Sequence, residues 1–126
     1  MPVSNEEKEF VSYVVELMQS LGPVTAKGMF GGHGIFLDGL MFGLVADSVL
    51  YLKADKETEN EFMANGLEAF TYNKKGKEFK MSYYQAPEEA LEDAEEMSSW
   101  AKKAYAVALK AASKKMKKNN NDETVR

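Results

Sequence analysis

Two short polar interruptions constrain this chain more than anything else in its sequence. Between Met29 and Ala54, apolar runs rich in aromatic and branched residues are punctuated at Asp38-Gly39 and at Asp47-Ser48. Asp-Gly between such runs signals a two-residue hairpin, because the right-handed twist of paired strands demands positive φ in the turn. The stretch therefore predicts a β-meander, with strands Leu40 to Ala46 and Val49 to Lys53 following an earlier one. Before it, Val24 to Phe30 reads as strand, and Gly31-Gly32 is either a hairpin turn or a bulge. The bulge is the preferred reading, bending one long strand that runs from Val24 to Leu37. In the middle run apolar residues fall at both parities (Leu40, Phe42, Leu44 against Met41, Val45), which predicts that both faces of that strand are covered.

Helical signals flank the meander. Ser4 and Glu7 have the spacing of a capping box, and Phe10, Val11, Val14, Leu17, Met18 and Leu21 then recur at helical spacing until Gly22-Pro23 stops them. A short polar helix between Asp55 and Gly66 is anchored by Phe62 and Met63. A second hairpin follows, with strands Leu67 to Tyr72 and Glu78 to Gln85 around Asn73 to Lys77. Pro87 opens a helical turn to Leu91, Asp93 caps the next helix, and Met97, Trp100, Ala101, Ala104, Val107, Ala108 and Ala111 form its buried stripe. The expected architecture is a single α+β domain over residues 1–112. Its antiparallel five-stranded sheet appears in the order helix, three-strand meander, helix, two-strand hairpin, C-terminal helix. Residues 113–126, where the stripe runs out, read as a basic disordered tail.

Composition narrows the function. The 126 residues include no cysteine, which removes disulfides, thiolate nucleophiles and cysteine-ligated metals, and a cytoplasmic location is the expectation. Neither a secretory signal nor a membrane span is recognisable. Net charge is −4, unevenly spread: residues 1–101 hold 8 lysines against 18 acidic residues, and 7 of the remaining basic residues are lysines after position 101. An acidic body of this kind argues against a dedicated nucleic-acid binder.

Candidate chemistry is sparse. The glycines at 28, 31, 32, 34 and 39 match neither a P-loop nor a dinucleotide fingerprint and lead into strands rather than a helix N-terminus, so turns and bulges explain them better. His33 is the only histidine, and a lone imidazole beside a glycine turn is far more often a surface or strand-edge residue than a ligand. No motif frames a nucleophilic serine. The acidic cluster Glu88, Glu89, Glu92, Asp93, Glu95, Glu96 sits where carboxylates favour helix N-termini. No catalytic residue, cofactor or metal is expected. Two basic features remain as a surface for a partner: Lys74, Lys75, Lys77 and Lys80 with Tyr84 on the second hairpin, and Lys114, Lys115, Lys117 and Lys118 in the tail. Solvation and edge protection explain the first equally well, and helix-end electrostatics the second.

Met29-Phe30-Gly31-Gly32-His33-Gly34, Asp38-Gly39-Leu40-Met41-Phe42, Leu50-Tyr51-Leu52-Lys53, Met81-Ser82-Tyr83-Tyr84-Gln85-Ala86-Pro87 and Trp100 occur in an order and spacing that resembles the N-terminal domain of the TfoX/Sxy family, over about residues 8 to 112. The resemblance implies a small α+β fold and a non-enzymatic regulator of natural competence and DNA transformation. It also implies a protein partner, either the transcription machinery or the cyclic-AMP receptor protein. Complete family members carry a further helical C-terminal domain; the form expected here is the stand-alone N-terminal domain. Two other readings rest on the residues alone. One is a self-associating module, a homodimer, or a binder of small ligands, motivated by the apolar central strand. The other is weak, non-specific nucleic-acid binding through the lysine-rich tail.

Overall fold

A computed structural model describes residues 5–29 and 31–125, with side chains through residue 115. Helix α1 (Asn5–Leu17) and a 3₁₀ turn (Gln19–Leu21) lead into six strands: β1 (Thr25–Met29), β2 (Gly32–Leu37), β3 (Leu40–Ala46), β4 (Val49–Lys53), β5 (Ala69–Lys74) and β6 (Lys77–Gln85). Helix α2 (Glu59–Ala64) lies between β4 and β5, and α3 (Glu88–Glu92) and α4 (Ala94–Val125) close the chain. The sheet is antiparallel throughout, in the order β1-β2-β3-β4-β6-β5. The fold class is the expected one, with one strand more.

The sixth strand corrects the reading of Gly31-Gly32. Met29 pairs with Gly32 and Thr25 with Phe36, so two strands stand where one bent strand was expected. The glycines do different work: Gly31 takes a φ of +77°, as a two-residue hairpin turn requires, whereas a Cβ on Gly32 would lie 2.3 Å from the Val45 carbonyl oxygen. One serves the turn and the other close strand packing.

Asp38-Gly39 and Asp47-Ser48 are turns as predicted, with all four residues at positive φ. In β3 one residue bulges against the Ile35–Phe36 step of β2. That bulge accounts for the apolar residues at both parities, since Phe42 joins Val45 in the same core. Leu44 lies on the other face and is itself only 8% exposed.

One core lies between the sheet and the helices. Ile35, Leu37, Phe42, Val45, Leu50, Leu52 and Tyr84 meet Val11 and Val14 of α1, Phe62 of α2, Ala90 of α3, and Met97, Trp100, Ala101, Ala104 and Ala108 of α4. Alanines at three of those α4 positions, Ala101, Ala104 and Ala108, bring α4 close to the sheet. Gly22 at φ +138° and Gly66 at φ +73° end the helical segments where the sequence marks their ends. The Asp93 carboxylate accepts a hydrogen bond from the Glu96 N–H (3.1 Å), as a capping residue does. The backbone of α4 continues through residues 113–125. Side chains from 116 onward, Lys117 and Lys118 among them, lie outside the described residues, as does Ser4 of the expected capping box.

Asp55 organises the entry to α2. Its carboxylate accepts from the Thr58 N–H (2.9 Å) and the Glu57 N–H (3.0 Å), while its own N–H donates to the Thr58 hydroxyl (3.0 Å). The Thr58 hydrogen bond, above all, holds the Asp55 carboxyl below its ordinary value of 3.8. A depressed carboxyl stabilises the fold above the unfolded-state value, and that contribution is lost as pH falls through the lower folded-state value. Asp55→Ala is expected to cost about 1 kcal/mol at neutral pH, read by urea denaturation, and the difference from the parent should vanish in strong acid.

A candidate partner-binding arm

Strands β5 and β6 build a hairpin that outgrows the sheet. Only Tyr83, Tyr84 and Gln85 of β6 pair with β4, whereas β6 pairs with β5 down to Lys77↔Lys74 at the tip. Residues 71–80 are all exposed, so this part of the hairpin projects as an arm. Its turn is Lys75-Gly76, at φ +53° and +78°, tighter than the five-residue loop the sequence suggests. Composition misleads there because neither face of the arm is buried, and Asn73, Lys74 and Lys77 are polar within strands.

Residues directly opposite one another share a face. The row Lys27, Gly34, Leu44, Tyr51, Gln85 therefore crosses the side of the sheet away from the core. From Tyr51 a run of rings continues onto the arm: Tyr51–Phe70 at 5.1 Å, edge to face, then Phe70–Tyr72 at 6.4 Å and Tyr72–Phe79 at 5.6 Å, both stacked. Tyr72 and Phe79 are 41% and 42% exposed, large apolar groups where a solvated strand would ordinarily be polar. Sequence reasoning missed this ladder. Its only signal was Phe70 and Tyr72 two apart on one strand with Phe79 across the turn.

Lys74 and Lys77 face each other across the ladder, and Lys75 occupies a left-handed backbone position that favours Gly or Asn. Both arrangements cost stability. Among the described residues no salt bridge reaches Lys74, Lys75 or Lys77. Lys80 points to the core side, its Nζ 5.5 Å from the Tyr84 ring.

Tyr84 does not belong to this surface. It is 2% exposed, stacks on Phe62 at 5.5 Å, and donates its hydroxyl to Glu59 (3.2 Å). Alternation along β6 cannot distinguish it from Tyr83, which is buried on the opposite face beside Lys53. Burial pushes the Tyr83 hydroxyl above its ordinary 10.0, and burial, reinforced by Asp47 and Glu68, does the same for Tyr51. A raised phenol keeps its proton longer in the folded chain than in the unfolded one, so stability is expected to decline as pH climbs past about 10. Alkaline titration of phenolate absorbance should show a late component that shrinks in Tyr51→Phe and Tyr83→Phe.

The other basic residues are dispersed. Lys114 and Lys115 are exposed on α4, remote in sequence from the arm. Lys103 and Lys110 pair with Glu61 (2.8 Å) and Glu57 (3.2 Å), tying α4 to the segment around α2. His33 shares the core side with Val45, its Nδ1 3.4 Å from the buried Glu7 carboxylate. Glu7 also accepts from the Ser48 N–H (3.0 Å), so it fastens α1 to the β3–β4 turn. Among the described residues no three His, Asp or Glu side chains converge as a metal centre would. No helix among them is long and apolar enough to cross a membrane.

Residues 16–108, which carry the whole sheet and the core-facing stripe of α4, match the sequence profile described as the TfoX N-terminal domain. The chain belongs to that family. It is 33% identical over 86 residues to DNA transformation protein TfoX1 of Aliivibrio fischeri, a match covering 68% of this chain and 39% of that protein. Over 98 residues it is 26% identical to Protein Sxy of Escherichia coli K12, covering 78% of this chain and 47% of the other. This TfoX N-terminal domain thus spans less than half the length of either curated relative.

Proposed function

We propose that this protein is a non-enzymatic regulator of the DNA-transformation type, an adaptor that works by binding another protein through the β5–β6 arm. Its similarity to proteins named for DNA transformation supports the biological setting. One observation carries the choice of surface: Lys74, Lys75 and Lys77 stand on a projecting hairpin at a cost to its own stability, beside two half-exposed rings, in a stretch, residues 1–101, that is otherwise acidic. Exposed aromatic residues flanked by cations are the anchors protein interfaces favour. The partner expected from the family is the transcription machinery or the cyclic-AMP receptor protein.

Lys75→Asn separates a structural from a binding role. Asparagine accepts the left-handed position better, so the variant is expected to be more stable by about 0.5–1 kcal/mol. The same change should reduce photo-crosslinking in cells from a benzophenone amino acid placed at position 72. Crosslinked products containing RNA polymerase or the cyclic-AMP receptor protein, fewer in Lys75→Asn, support the reading. Products devoid of transcription proteins, or a yield indifferent to the lysines, would overturn it.

A further inference from the structure

The outer edge of β5 is unpaired, and its sequence is complementary to itself. We propose that two copies of this chain join antiparallel along β5, about a two-fold axis through Thr71, to form one continuous twelve-stranded sheet.

Backbone directions fix which pairings are possible. The Glu68 carbonyl accepts from the Gln85 N–H (2.8 Å), and Lys74↔Lys77 closes the two-residue turn. Positions 68, 70, 72 and 74 therefore turn their N–H and C=O toward β6, and positions 69, 71 and 73 turn theirs outward. An axis at Thr71 satisfies the outward set: Thr71 exchanges both hydrogen bonds with Thr71 of the second copy, and Ala69 pairs with Asn73 on either side. At the alternate positions Phe70 meets the second copy's Tyr72, and Glu68 meets its Lys74, each contact made twice. Aromatic pairs, threonine pairs and opposite charges are the cross-strand combinations that stabilise antiparallel sheets.

The neighbouring registers lack this match. Centring on Phe70 sets Lys74 against Gly66, and centring on Tyr72 sets Lys74 against Phe70. At the opposite edge of the sheet, an axis at the middle of β1 would set Lys27 against itself. The proposed seam also carries the aromatic ladder across the axis, covering Tyr72, now 41% exposed, and gives a partner to an edge strand that has no proline; the irregularity between Ala69 and Thr71 puts its extra residues on β6, so the alternation along β5 is kept. Lys75, Lys77 and Phe79 lie outside it and stay available to a regulatory partner, whereas Lys74 and Tyr72 belong to both surfaces; association measured on the purified chain tests the seam without reference to that partner.

Sedimentation velocity on the full chain at low ionic strength is expected to show a dimer. Glu68→Lys or Lys74→Glu alone turns two attractive pairs into repulsive ones and should weaken association about tenfold or more. The exchanged double variant Glu68→Lys/Lys74→Glu recreates both pairs and should restore it. Because the chain has no cysteine, Thr71→Cys offers a second measurement. Across the axis the two Cα atoms would be about 5.5 Å apart, within disulfide range, so mild oxidation should give a covalent dimer. Asn73→Cys, about 14 Å from its symmetry mate, should not. A parent that stays monomeric, a dimer indifferent to the single reversals, a double variant that fails to recover, or equal crosslinking from both cysteines would overturn the proposal.

Discussion

Gly32→Ala is expected to cost about 3 kcal/mol, a large part of the margin by which a domain of this size stays folded. The methyl carbon would lie 2.3 Å from the Val45 carbonyl oxygen, 3.4 Å from its carbon and 3.6 Å from the Ala46 Cα. All three are backbone atoms of β3, so no rotamer change relieves the contact, and β2 must move away from β3 next to the hairpin turn. His33, which pairs with Val45 and approaches Glu7, would move with it. Gly28→Ala is the matched control. It lies on the neighbouring strand, has nothing within 4 Å of the new carbon, and should be neutral or slightly stabilising through the unfolded chain. Thermal unfolding followed by circular dichroism separates the two. Equal melting temperatures would show that the sheet yields at this point.

The Gly31-Gly32 doublet shows what a sequence can and cannot reveal here. Asp38-Gly39 was legible because its physical requirement, positive φ between two apolar strands, is local and leaves a local signature. At Gly31-Gly32 two requirements sit side by side. The turn needs only Gly31, whereas Gly32 is demanded by a strand met thirteen residues later, so the doublet looks like a single bend. Glu7 was illegible for a similar reason. Its spacing from Ser4 points to a helix cap, a local role, and gives no sign that it also reaches Ser48 and His33, 41 and 26 positions along.

Legibility also depends on burial. The stripes of α1 and α4 and the placement of α2 could be read because each has one buried face, and periodicity records that asymmetry. The arm has no buried face beyond Thr71, so its pattern is weak and its turn was drawn too long. Its lysines were visible as composition, but their meaning came from the register that opposes Lys74 to Lys77 and from the positive φ of Lys75. Conversely, Tyr83 and Tyr84 are both buried, on opposite faces of one strand, and side-chain alternation alone cannot say which faces the helices.

Trp100→Ala should destabilise the protein by about 3–5 kcal/mol, lowering the melting temperature by some 10–20 °C. Trp100 is 8% exposed, and its ring centroid lies 5.2 Å from that of Phe62, which in turn stacks on Tyr84 at 5.5 Å. The three rings form a column from α4 through α2 to β6. Helix α2 has six residues, too few to hold itself together, so its place depends on Phe62 being gripped from both sides. Removing the indole leaves a cavity against Phe62 and frees Lys103, whose Nζ lies 5.0 Å from the Trp100 ring and pairs with Glu61. Loosening α2 also releases Glu59 from the Tyr84 hydroxyl. The base of the arm should therefore soften together with α2, and hydrogen exchange at residues 59–70 should accelerate more than in β2 or β3. Trp100→Phe keeps one ring in the column and should recover more than half of the loss. If Trp100→Ala melted within a few degrees of the parent, the column could not be what anchors the arm to the core.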